Sequence, residues 1–252
     1  MRLIRDLAVW AKVRAAMPAR RSLGFVPTMG ALHQGHASLI RRSAAENDAT
    51  LVSVFVNPTQ FDDPQDLRKY PRTLAADAAL ARKAGADYLL CPDRAALYPD
   101  GYRYRVLETE ESLVLCGASR PGHFAGVLTV VLKLLQLAGA RRAYFGEKDF
   151  QQYRLIQGMA EAFFLRTAIV PCPIVREPDG LAMSSRNRRL SARQRASAPR
   201  LHQALETGRT AAQVRQALAR QGLAVDYVAE RWGRRLGAAR LGPVRLIDNV
   251  PL

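Results

Sequence analysis

The sequence predicts an α/β fold, because short apolar, β-branched runs alternate along residues 1–175 with segments whose apolar residues recur every three or four positions. Strands that alternate with helices of this length form a mostly parallel sheet covered on both faces. With 252 residues and 48% hydrophobic composition, the chain is long and apolar enough to bury such a core.

The elements follow in chain order from these patterns. Apolar residues at positions 3, 7, 10, 13 and 17 predict a first amphipathic helix that ends before Pro18. Strands are predicted at residues 23–26, 49–56, 87–91, 102–107, 141–146 and 168–175. Helices are predicted directly after residue 36 and at residues 73–84, 122–139 and 149–164. This order predicts a Rossmann-like sheet with helices on both faces.

The pattern changes near the turn "EPDG", residues 177–180. Beyond it, helices are predicted at 192–206 and 210–221, and short strands at 225–228, 235–239 and 244–247. The sequence therefore predicts two domains, a Rossmann-like domain at residues 1–175 and a small α+β lid domain at residues 176–252.

The chain is strongly basic, with a formal net charge of +16, and only five of its 38 basic residues are lysines. Such a charge suits either a nucleic-acid-binding protein or an enzyme for anionic substrates. The arginines are spread along the whole chain, and aromatic residues, 7% of the total, do not accompany the arginine clusters. We therefore interpret the charge as a solvated arginine-rich surface and expect no specific nucleic-acid partner.

The cysteines and the N-terminus indicate the compartment. Cys91, Cys116 and Cys172 lie far apart without CxxC spacing, which predicts neither a disulfide framework nor a zinc site. The N-terminal segment is interrupted by charges, unlike a signal peptide. No run approaches the roughly 18 apolar residues of a transmembrane helix. We expect a cytoplasmic protein without a membrane partner.

The stretch "PTMGALHQGH", residues 27–36, follows the first buried strand, at the edge where open parallel sheets bind ligands. The helix that begins here points its N-terminal amides at this edge, and His33 and His36 can both donate hydrogen bonds to an anion there. No Walker A or GxGxxG motif occurs in the chain to bind phosphate in another way. A helix cap with two incidental surface histidines is the alternative for this pattern alone.

Two further stretches carry groups suited to phosphate. In "YFGEKDFQQ", residues 144–152, Lys148 offers a compact ammonium group, Asp149 can accept hydrogen bonds from ribose hydroxyl groups, and Gln152 lies one turn on. In "GLAMSSRN", residues 180–187, two serines and an arginine lie on a predicted loop that can close over a nucleotide. Ordinary helix caps are the alternative for both stretches.

Uncharged polar residues suited to an organic substrate occur in "FVNPTQF", residues 55–61, where Asn57 and Gln60 follow a predicted strand. Turn formation around Pro58 explains them equally well. In "ASRPGHF", residues 118–124, Arg120 is a candidate partner for a substrate carboxylate and His123 is a second candidate. Either residue can equally belong to the surface or to a hydrogen-bonded core.

In this order, together with the closing "RLIDN" at residues 245–249, these stretches resemble the pantoate–beta-alanine ligase (pantothenate synthetase) family over nearly the whole chain. That family belongs to the nucleotidyltransferases related to class I aminoacyl-tRNA synthetases, with HxGH as its HIGH-type signature. The resemblance implies that ATP and pantoate form pantoyl adenylate and pyrophosphate, and that beta-alanine then displaces AMP to give pantothenate. It also implies magnesium bound through ATP and a homodimer formed by the larger domain.

The resemblance also implies the residues of the site. ATP would be held by Met29, Gly30, Ala31, Leu32, His33, Gln34, Gly35, His36, Gly146, Glu147, Lys148, Asp149, Val175, Met183, Ser184, Ser185 and Arg186. Among these the catalytic residues would be His36, His33, Lys148 and Arg186, with His36 usually assigned as the proton donor. Gln60 and Gln152 would hold pantoate, Gln60 would also lie near beta-alanine, and no protein residue would bind the metal.

The implied chemistry needs no protein nucleophile, because a carboxylate oxygen attacks the α-phosphorus and catalysis consists of positioning and charge neutralisation. We therefore interpret His36 as an electrostatic stabiliser rather than a proton donor. The segment between Tyr227 and "RLIDN" is shorter than is usual in the family, which bears on how the lid closes.

The competing hypothesis is an adenylating enzyme that acts on nucleic acid, or a synthetase-like fragment, favoured by HxGH and the charge. It lacks an RNA-clamping module with interleaved aromatic residues. A non-catalytic nucleic-acid-binding protein would have no need of all these motifs.

Overall fold

The computed structural model describes residues 1–252 and contains a six-stranded parallel sheet and a separate three-stranded antiparallel sheet. The strands of the parallel sheet are β1 (Arg2–Ile4), β2 (Leu23–Thr28), β3 (Ala49–Val54), β4 (Tyr88–Leu90), β5 (Arg142–Gly146) and β6 (Ala168–Cys172). Their order across the sheet is β1-β4-β3-β2-β5-β6, and every neighbouring pair is parallel.

Helices connect these strands. The α-helices of this part are α1 (Leu7–Ala15), α2 (Gln34–Glu46), α3 (Pro64–Arg68), α4 (Leu74–Lys83), α5 (Arg94–Leu97), α6 (Cys116–Ser119), α7 (His123–Ala138) and α8 (Phe150–Ala162). Short 3₁₀ segments occur at Pro58–Gln60, Glu111–Leu113, Glu147–Asp149 and Ser185–Arg189.

The sheet is covered on both faces, as predicted for a Rossmann-like fold. Phe25 and Leu51 pack in one apolar cluster with residues of α1, α7 and α8, whereas Val26 and Val52 pack in another with residues of α2 and α4. All four side chains are fully buried. Successive strand residues face opposite sides, so the near-continuous apolar runs of β2 and β3 fill both layers.

The C-terminal part has its own elements and core. Its elements are α9 (Ala192–Ser197), α10 (Arg200–Thr207), α11 (Ala211–Arg220), β7 (Ala224–Arg231), β8 (Arg234–Leu241) and β9 (Val244–Pro251). The strands form an antiparallel meander in the order β7-β8-β9. Trp232 and Gly233, both with positive φ (54° and 69°), close the first hairpin. Leu201, Leu205 and Val214 pack in a separate apolar cluster with residues of this sheet.

Two predictions for the larger part are wrong. The predicted first helix begins later, because residues 2–4 pair with β4 as an edge strand that buries Ile4 and leaves Leu3 42% exposed. The predicted strand at 102–107 is a loop. Its side chains Tyr104 and Leu107 are each 69% exposed. The backbone N–H of Val106 donates to the Thr129 side chain rather than to a neighbouring strand.

The predicted helix at 192–206 is two helices, α9 and α10, which meet at Ala198 and Pro199. Proline has no N–H to donate to the preceding turn, and this ends the first helix. The other helix and strand predictions match elements of the same type, with ends shifted by a few residues.

The strand order places the chain's reversal between β2 and β5, because β3 lies on one side of β2 and β5 lies on the other. Open α/β sheets bind ligands beyond the carboxyl ends of their strands at such a switch point. β2 leads into α2 and β5 leads through the turn Glu147–Asp149 into α8. Two of the sequence motifs therefore flank this crevice. No helix combines the length and apolar character needed to span a membrane.

Candidate active site

A cavity of about 230 Å³ lies beyond the carboxyl ends of β2 and β5. The motifs from four separate stretches of the chain meet in its wall. Its lining includes the predicted site residues Met29, His33, Gly35, His36, Gln60, Gly146, Lys148, Asp149, Gln152, Val175, Met183, Ser184, Ser185 and Arg186. The cavity therefore unites most of the side chains that the sequence analysis selected separately.

Five of the predicted residues do not line this cavity. Ala31 and Leu32 are buried within the loop that follows β2, and Gln34 is exposed on α2. Gly30 turns the loop with a φ of 79°. The carboxylate of Glu147 points to Arg234 of β8, with 2.8 Å between Oε1 and Nη2. Only some residues of the 29–36 segment face the cavity, because the chain turns sharply at Gly30 and Ala31 and then enters the first turn of α2.

His33 and His36 lie at the first turn of α2, where His33 is the N-cap. Nδ1 of His33 accepts a hydrogen bond from the Gly35 N–H (3.2 Å), and Nδ1 of His36 accepts one from the His33 N–H (3.3 Å). An imidazole whose Nδ1 accepts carries its proton on Nε2 when it is neutral. Both rings therefore keep Nε2–H as a donor group, and their centroids are 4.1 Å apart.

Both imidazoles are neutral at pH 7. Burial, reinforced by the positive charge of Lys148, lowers the pKa of His33 from 6.5 to about 4. Burial, reinforced by His33, lowers the pKa of His36 to about 3. The helix cap and the phosphate-facing donor proposed from sequence are thus compatible in the same residue, since one ring nitrogen caps the helix and the other remains available.

Asp77, which was not predicted as a site residue, lies on α4, is 2% exposed and anchors the loop after β2. One carboxylate oxygen accepts the Leu32 N–H (2.7 Å) and the other accepts the Ala31 N–H (3.1 Å). Ala31 adopts a φ of 49°, unusual for a residue other than glycine. Asp77 stabilises this conformation and so sets where α2 begins. The sequence offered one signal of this role, an aspartate on the buried side of the helix predicted at residues 73–84.

Lys148 and Asp149 lie in the 3₁₀ turn that joins β5 to α8. The Lys148 Nζ is 3.6 Å from an Asp149 carboxylate oxygen. Burial raises the pKa of Asp149, but Lys148 and Arg186 outweigh it and hold the pKa below its ordinary value. Asp149 is therefore ionised, and it is the only carboxylate that lines the cavity.

The serine and arginine loop, residues 183–186, closes one side of the cavity. Ser184 caps the 3₁₀ turn Ser185–Arg189 by accepting the Arg186 N–H at 3.3 Å. The hydroxyl of Ser185 lies 3.5 Å from the Tyr70 hydroxyl. Arg186 lines the cavity, and its Nη2 also donates to Asp66 at 2.9 Å. The loop is thus attached to α3, which follows the Gln60 segment.

Gln60 is held by a buried polar network at the carboxyl end of β3. Its side chain accepts a hydrogen bond from Asn57 (3.0 Å) and donates to the Met29 sulfur (3.1 Å). Its backbone oxygen lies 2.8 Å from His123 Nδ1. Close packing of α7 requires glycine at position 126, where a Cβ would lie 2.3 Å from the Thr59 carbonyl oxygen. This network holds Gln60 at the cavity wall.

Arg120 and His123 support this network instead of lining the cavity. Arg120 Nε donates to Asp62 at 2.8 Å, and its Nη1 lies 3.0 Å from His123 Nε2. His123 is 8% exposed, and burial with the charge of Arg120 lowers its pKa to about 4. Of the two alternatives considered for His123, the structure places it as a hydrogen-bonded core residue.

A cavity at the switch point of a parallel sheet, entered by the N-terminal ends of two helices and by neutral imidazoles and cationic groups, suits a nucleotide and its phosphates. The fold and cavity thus define an α/β nucleotide-binding protein, and comparison with known proteins specifies it further. The family model described as pantoate-beta-alanine ligase matches residues 2–251. The chain belongs to this family.

Individual relatives agree with the family match. A protein named pantothenate synthetase from Bdellovibrio bacteriovorus is 54% identical over 231 residues, 92% of each chain. A protein of the same name from Legionella pneumophila is 46% identical and is covered, like this chain, over 100% of its length. The C-terminal segment thus has a counterpart in a relative matched from end to end.

A solved structure agrees as well. The crystal structure of pantoate-beta-alanine ligase from Francisella tularensis, described as complexed with beta-gamma ATP and beta-alanine, is 39% identical. It superposes with a TM-score of 0.95, over 100% of this chain and 97% of that one. The similarity therefore includes both sheets described above.

Proposed function

We infer that this protein catalyses the ATP-dependent condensation of pantoate with beta-alanine, which yields pantothenate, AMP and pyrophosphate through a pantoyl adenylate. The observation that carries this conclusion is that a chain matching the ligase family from residue 2 to residue 251 gathers its polar motifs around one cavity at the switch point of the sheet. The ATP and beta-alanine of the related Francisella structure support the same substrates.

We propose that the ATP phosphates lie between the start of α2 and the turn Glu147–Asp149. His33 and His36 direct Nε2–H donors toward this space, Lys148 supplies the positive charge, and both helix N-termini favour an anion. Asp149 accepts hydrogen bonds from the ribose, and the backbone of Val175 contacts adenine. Met183 and the residues of the adjacent loop, Ser184, Ser185 and Arg186, cover the phosphates.

We propose that two glutamines choose the acid. Gln60 and Gln152 line the cavity from two separate segments of the chain, one after β3 and one on α8. Both are uncharged; their NH₂ groups can donate to hydroxyl and carboxylate oxygens, and their carbonyl oxygens can accept from hydroxyl groups. Gln60 also borders the space for beta-alanine. Because Gln60 is already fixed by Asn57, little side-chain entropy is lost when it binds pantoate.

The first step forms a bond between a pantoate carboxylate oxygen and the α-phosphorus and breaks the bond from that phosphorus to the bridging oxygen of pyrophosphate. In the second step the beta-alanine amine attacks the acyl carbon, loses a proton and displaces AMP. Neither step needs a protein nucleophile. The residues contribute by orienting the reacting atoms and by stabilising charge on the phosphates and the leaving group.

His36 acts in this scheme as a hydrogen-bond donor. A histidine acting as general acid donates from its imidazolium form, and burial lowers the pKa of His36 to about 3, which disfavours that form at pH 7. Its Nε2–H can still stabilise negative charge as the bond to pyrophosphate breaks.

We propose that magnesium enters as its complex with ATP. Asp149 is the one carboxylate lining the cavity, and it is paired with Lys148 at 3.6 Å, so the protein offers no cluster of acidic ligands at this wall. The residues fit a metal held by phosphate oxygens and water, which magnesium commonly retains. The ion supplies charge neutralisation for the phosphates.

We propose that the protein is a cytoplasmic homodimer of two-domain subunits, with the domains divided at residues 175 and 176. A groove of about 410 Å³ on the larger domain is lined by the exposed side chains of Leu107 and Phe163, among others. Other large apolar side chains of this domain are also exposed, including Tyr104, Leu113 and Phe164. Exposed apolar patches of this kind mark interfaces. The three cysteines are free, as suits a reducing compartment.

The proposed function is tested by pantoate-dependent exchange of labelled pyrophosphate into ATP. We expect exchange that requires both pantoate and magnesium and does not require beta-alanine, because the adenylate forms first. Folded protein that shows no exchange under these conditions would contradict the assignment.

A further inference from the structure

The closing motif "RLIDN", residues 245–249, lies on β9 of the C-terminal sheet, and no step of the proposed reaction uses it. Its last two residues are nevertheless buried. Asp248 is 5% exposed and Asn249 is 1% exposed. Buried polar side chains at this depth are retained where they make specific hydrogen bonds.

Asn249 binds the turn that carries Lys148. Its Nδ2 donates to the backbone oxygen of Glu147 at 2.9 Å and to that of Lys148 at 3.2 Å. These two carbonyl groups belong to the peptide units on either side of the Lys148 Cα. Holding both units restricts the backbone dihedral angles of Lys148, and with them the direction in which its side chain leaves the chain.

The chemistry at this position requires an amide. Asn249 Oδ1 accepts a hydrogen bond from Arg234 Nη1 at 2.8 Å, while Nδ2 faces the two carbonyl oxygens. A carboxylate can accept from the arginine but cannot donate to the carbonyl groups. Arg234 also pairs with the Glu147 carboxylate at 2.8 Å. One guanidinium group on β8 therefore contacts both Asn249 and the turn that contains Lys148.

The neighbouring residue, Asp248, attaches the same strand to the segment that leads into the serine and arginine loop. Asp248 pairs with Arg176 through both carboxylate oxygens, at 2.6 and 3.1 Å. Arg176 forms a β-bridge with Ala182, and the adjacent Met183 N–H donates to Val175. The cavity loop that begins at Met183 therefore starts from a segment anchored on β9.

We propose that Asn249 is a positioning residue for adenylate formation, which fixes the peptide groups flanking Lys148 and so directs the Lys148 ammonium group at the ATP phosphates. Asp248, on the same strand, aligns the start of the serine and arginine loop with that turn. The C-terminal sheet thus helps to shape the phosphate site through these contacts. This inference rests on the proposed adenylation function.

The test compares Asn249→Asp with a matched variant, Gln151→Glu, in the pantoate-dependent pyrophosphate exchange assay. Gln151 is also a buried amide, 3% exposed, and its Nε2 donates to two backbone oxygens, those of Glu111 and Val114, both at 2.8 Å. We expect Asn249→Asp to lower kcat by about tenfold or more with KM for pantoate changed less than about twofold, and Gln151→Glu to lower kcat less than about threefold.

A double-mutant cycle identifies the route of the effect. If Asn249 acts through Lys148, Asn249→Asp lowers exchange by no more than about twofold when Lys148 is already alanine. Effects that multiply in the double variant, or equal losses in Asn249→Asp and Gln151→Glu, overturn the proposal. If Asn249→Asp does not fold, Asn249→Ala carries the same comparisons without adding a charge. Absence of exchange in the wild-type protein would instead contradict the proposed function.

Discussion

At the scale of single residues, each of the two histidines caps a helix with one ring nitrogen and keeps the other for the proposed reaction. The Nδ1 atoms of His33 and His36 accept backbone N–H groups at the start of α2. Their Nε2–H groups therefore have a defined direction before any substrate arrives. Such preorganised donors stabilise charge without reorganising during the reaction.

Replacement of His36 distinguishes hydrogen bonding from proton donation. We expect His36→Ala to lower adenylate formation by about tenfold or more, because one donor to the phosphates is lost. His36→Gln places an N–H group close to the position of Nε2, so it should recover part of that loss. The measurement is pyrophosphate exchange together with thermal unfolding. Equal inactivation by glutamine and alanine in folded protein would favour proton donation instead.

The same residues make stability depend on pH. The pKa values of His33 and His36 are lowered in the folded protein to about 4 and about 3, whereas an unfolded histidine titrates at 6.5. The unfolded chain therefore binds more protons between these values, and stability falls as the pH decreases from about 7 toward 4. The stabilisation is fully present above the unfolded pKa.

We expect the free energy of unfolding, measured with denaturant at pH 7 and pH 5, to be lower at pH 5. The loss attributable to one such histidine is on the order of 2 kcal/mol at pH 5. His36→Gln removes one titrating group and should reduce the difference between the two pH values. An unchanged difference would show that His36 does not carry the lowered pKa.

At the scale of elements, the loop between β2 and α2 determines how the two histidines are oriented, because it leads directly into the helix turn that carries them. Gly30 and Ala31 have positive φ values, 79° and 49°. The carboxylate of Asp77, on the neighbouring helix α4, accepts the next backbone N–H groups. Charge-assisted bonds of this type are stronger than bonds between neutral groups, so the loop is held firmly.

Asp77→Asn should therefore weaken ATP binding from a distance. The amide can accept only one of the two loop N–H groups and turns a donor toward the other. We expect KM for ATP to rise by about fivefold or more, with KM for pantoate changed less than about twofold. Asp87→Asn is the control, because Asp87 accepts the Thr50 N–H at the opposite end of β3. An equal rise in KM for ATP in both variants would assign the effect to general destabilisation.

Much of the site could be predicted at this scale. The histidine, lysine and serine motifs follow predicted strands or lie on a predicted loop, and residues at the carboxyl ends of parallel strands meet at one edge. The roles of Asp77 and Asn249 could not be predicted, because each acts through backbone groups distant in sequence. The predicted strand at 102–107 failed because β-branched and aromatic composition does not specify a pairing partner.

At the scale of the whole molecule, charge and exposed apolar surface set how copies and ligands meet. The net charge of +16 favours anionic substrates in general. The exposed groove around Leu107 and Phe163 concentrates apolar side chains on the larger domain. The loop at 102–107, wrongly predicted as a strand, belongs to this surface and leaves Tyr104 exposed.

We expect Leu107→Asp to convert the proposed dimer to a monomer, because a carboxylate placed in an apolar interface loses its hydration. Light scattering after gel filtration should then give a mass near the 27.9 kDa of one chain instead of twice that value. Leu252→Asp, at an exposed apolar residue of the C-terminal strand region, is the control and should leave the mass unchanged. A wild-type mass of 27.9 kDa would contradict the dimer.

The sequence by itself determined the alternation of strands and helices, the change in the pattern of predicted elements near residue 176 and the family resemblance carried by its motifs. These depend on local periodicity and on side chains adjacent in the chain. Only the tertiary structure decided which residues of the 29–36 segment face the cavity, and that Asn249 meets Lys148 across 101 positions. The local pattern of a segment indicates which of its side chains are buried. A contact such as that between Asn249 and Lys148 depends instead on how the two sheets are positioned relative to each other.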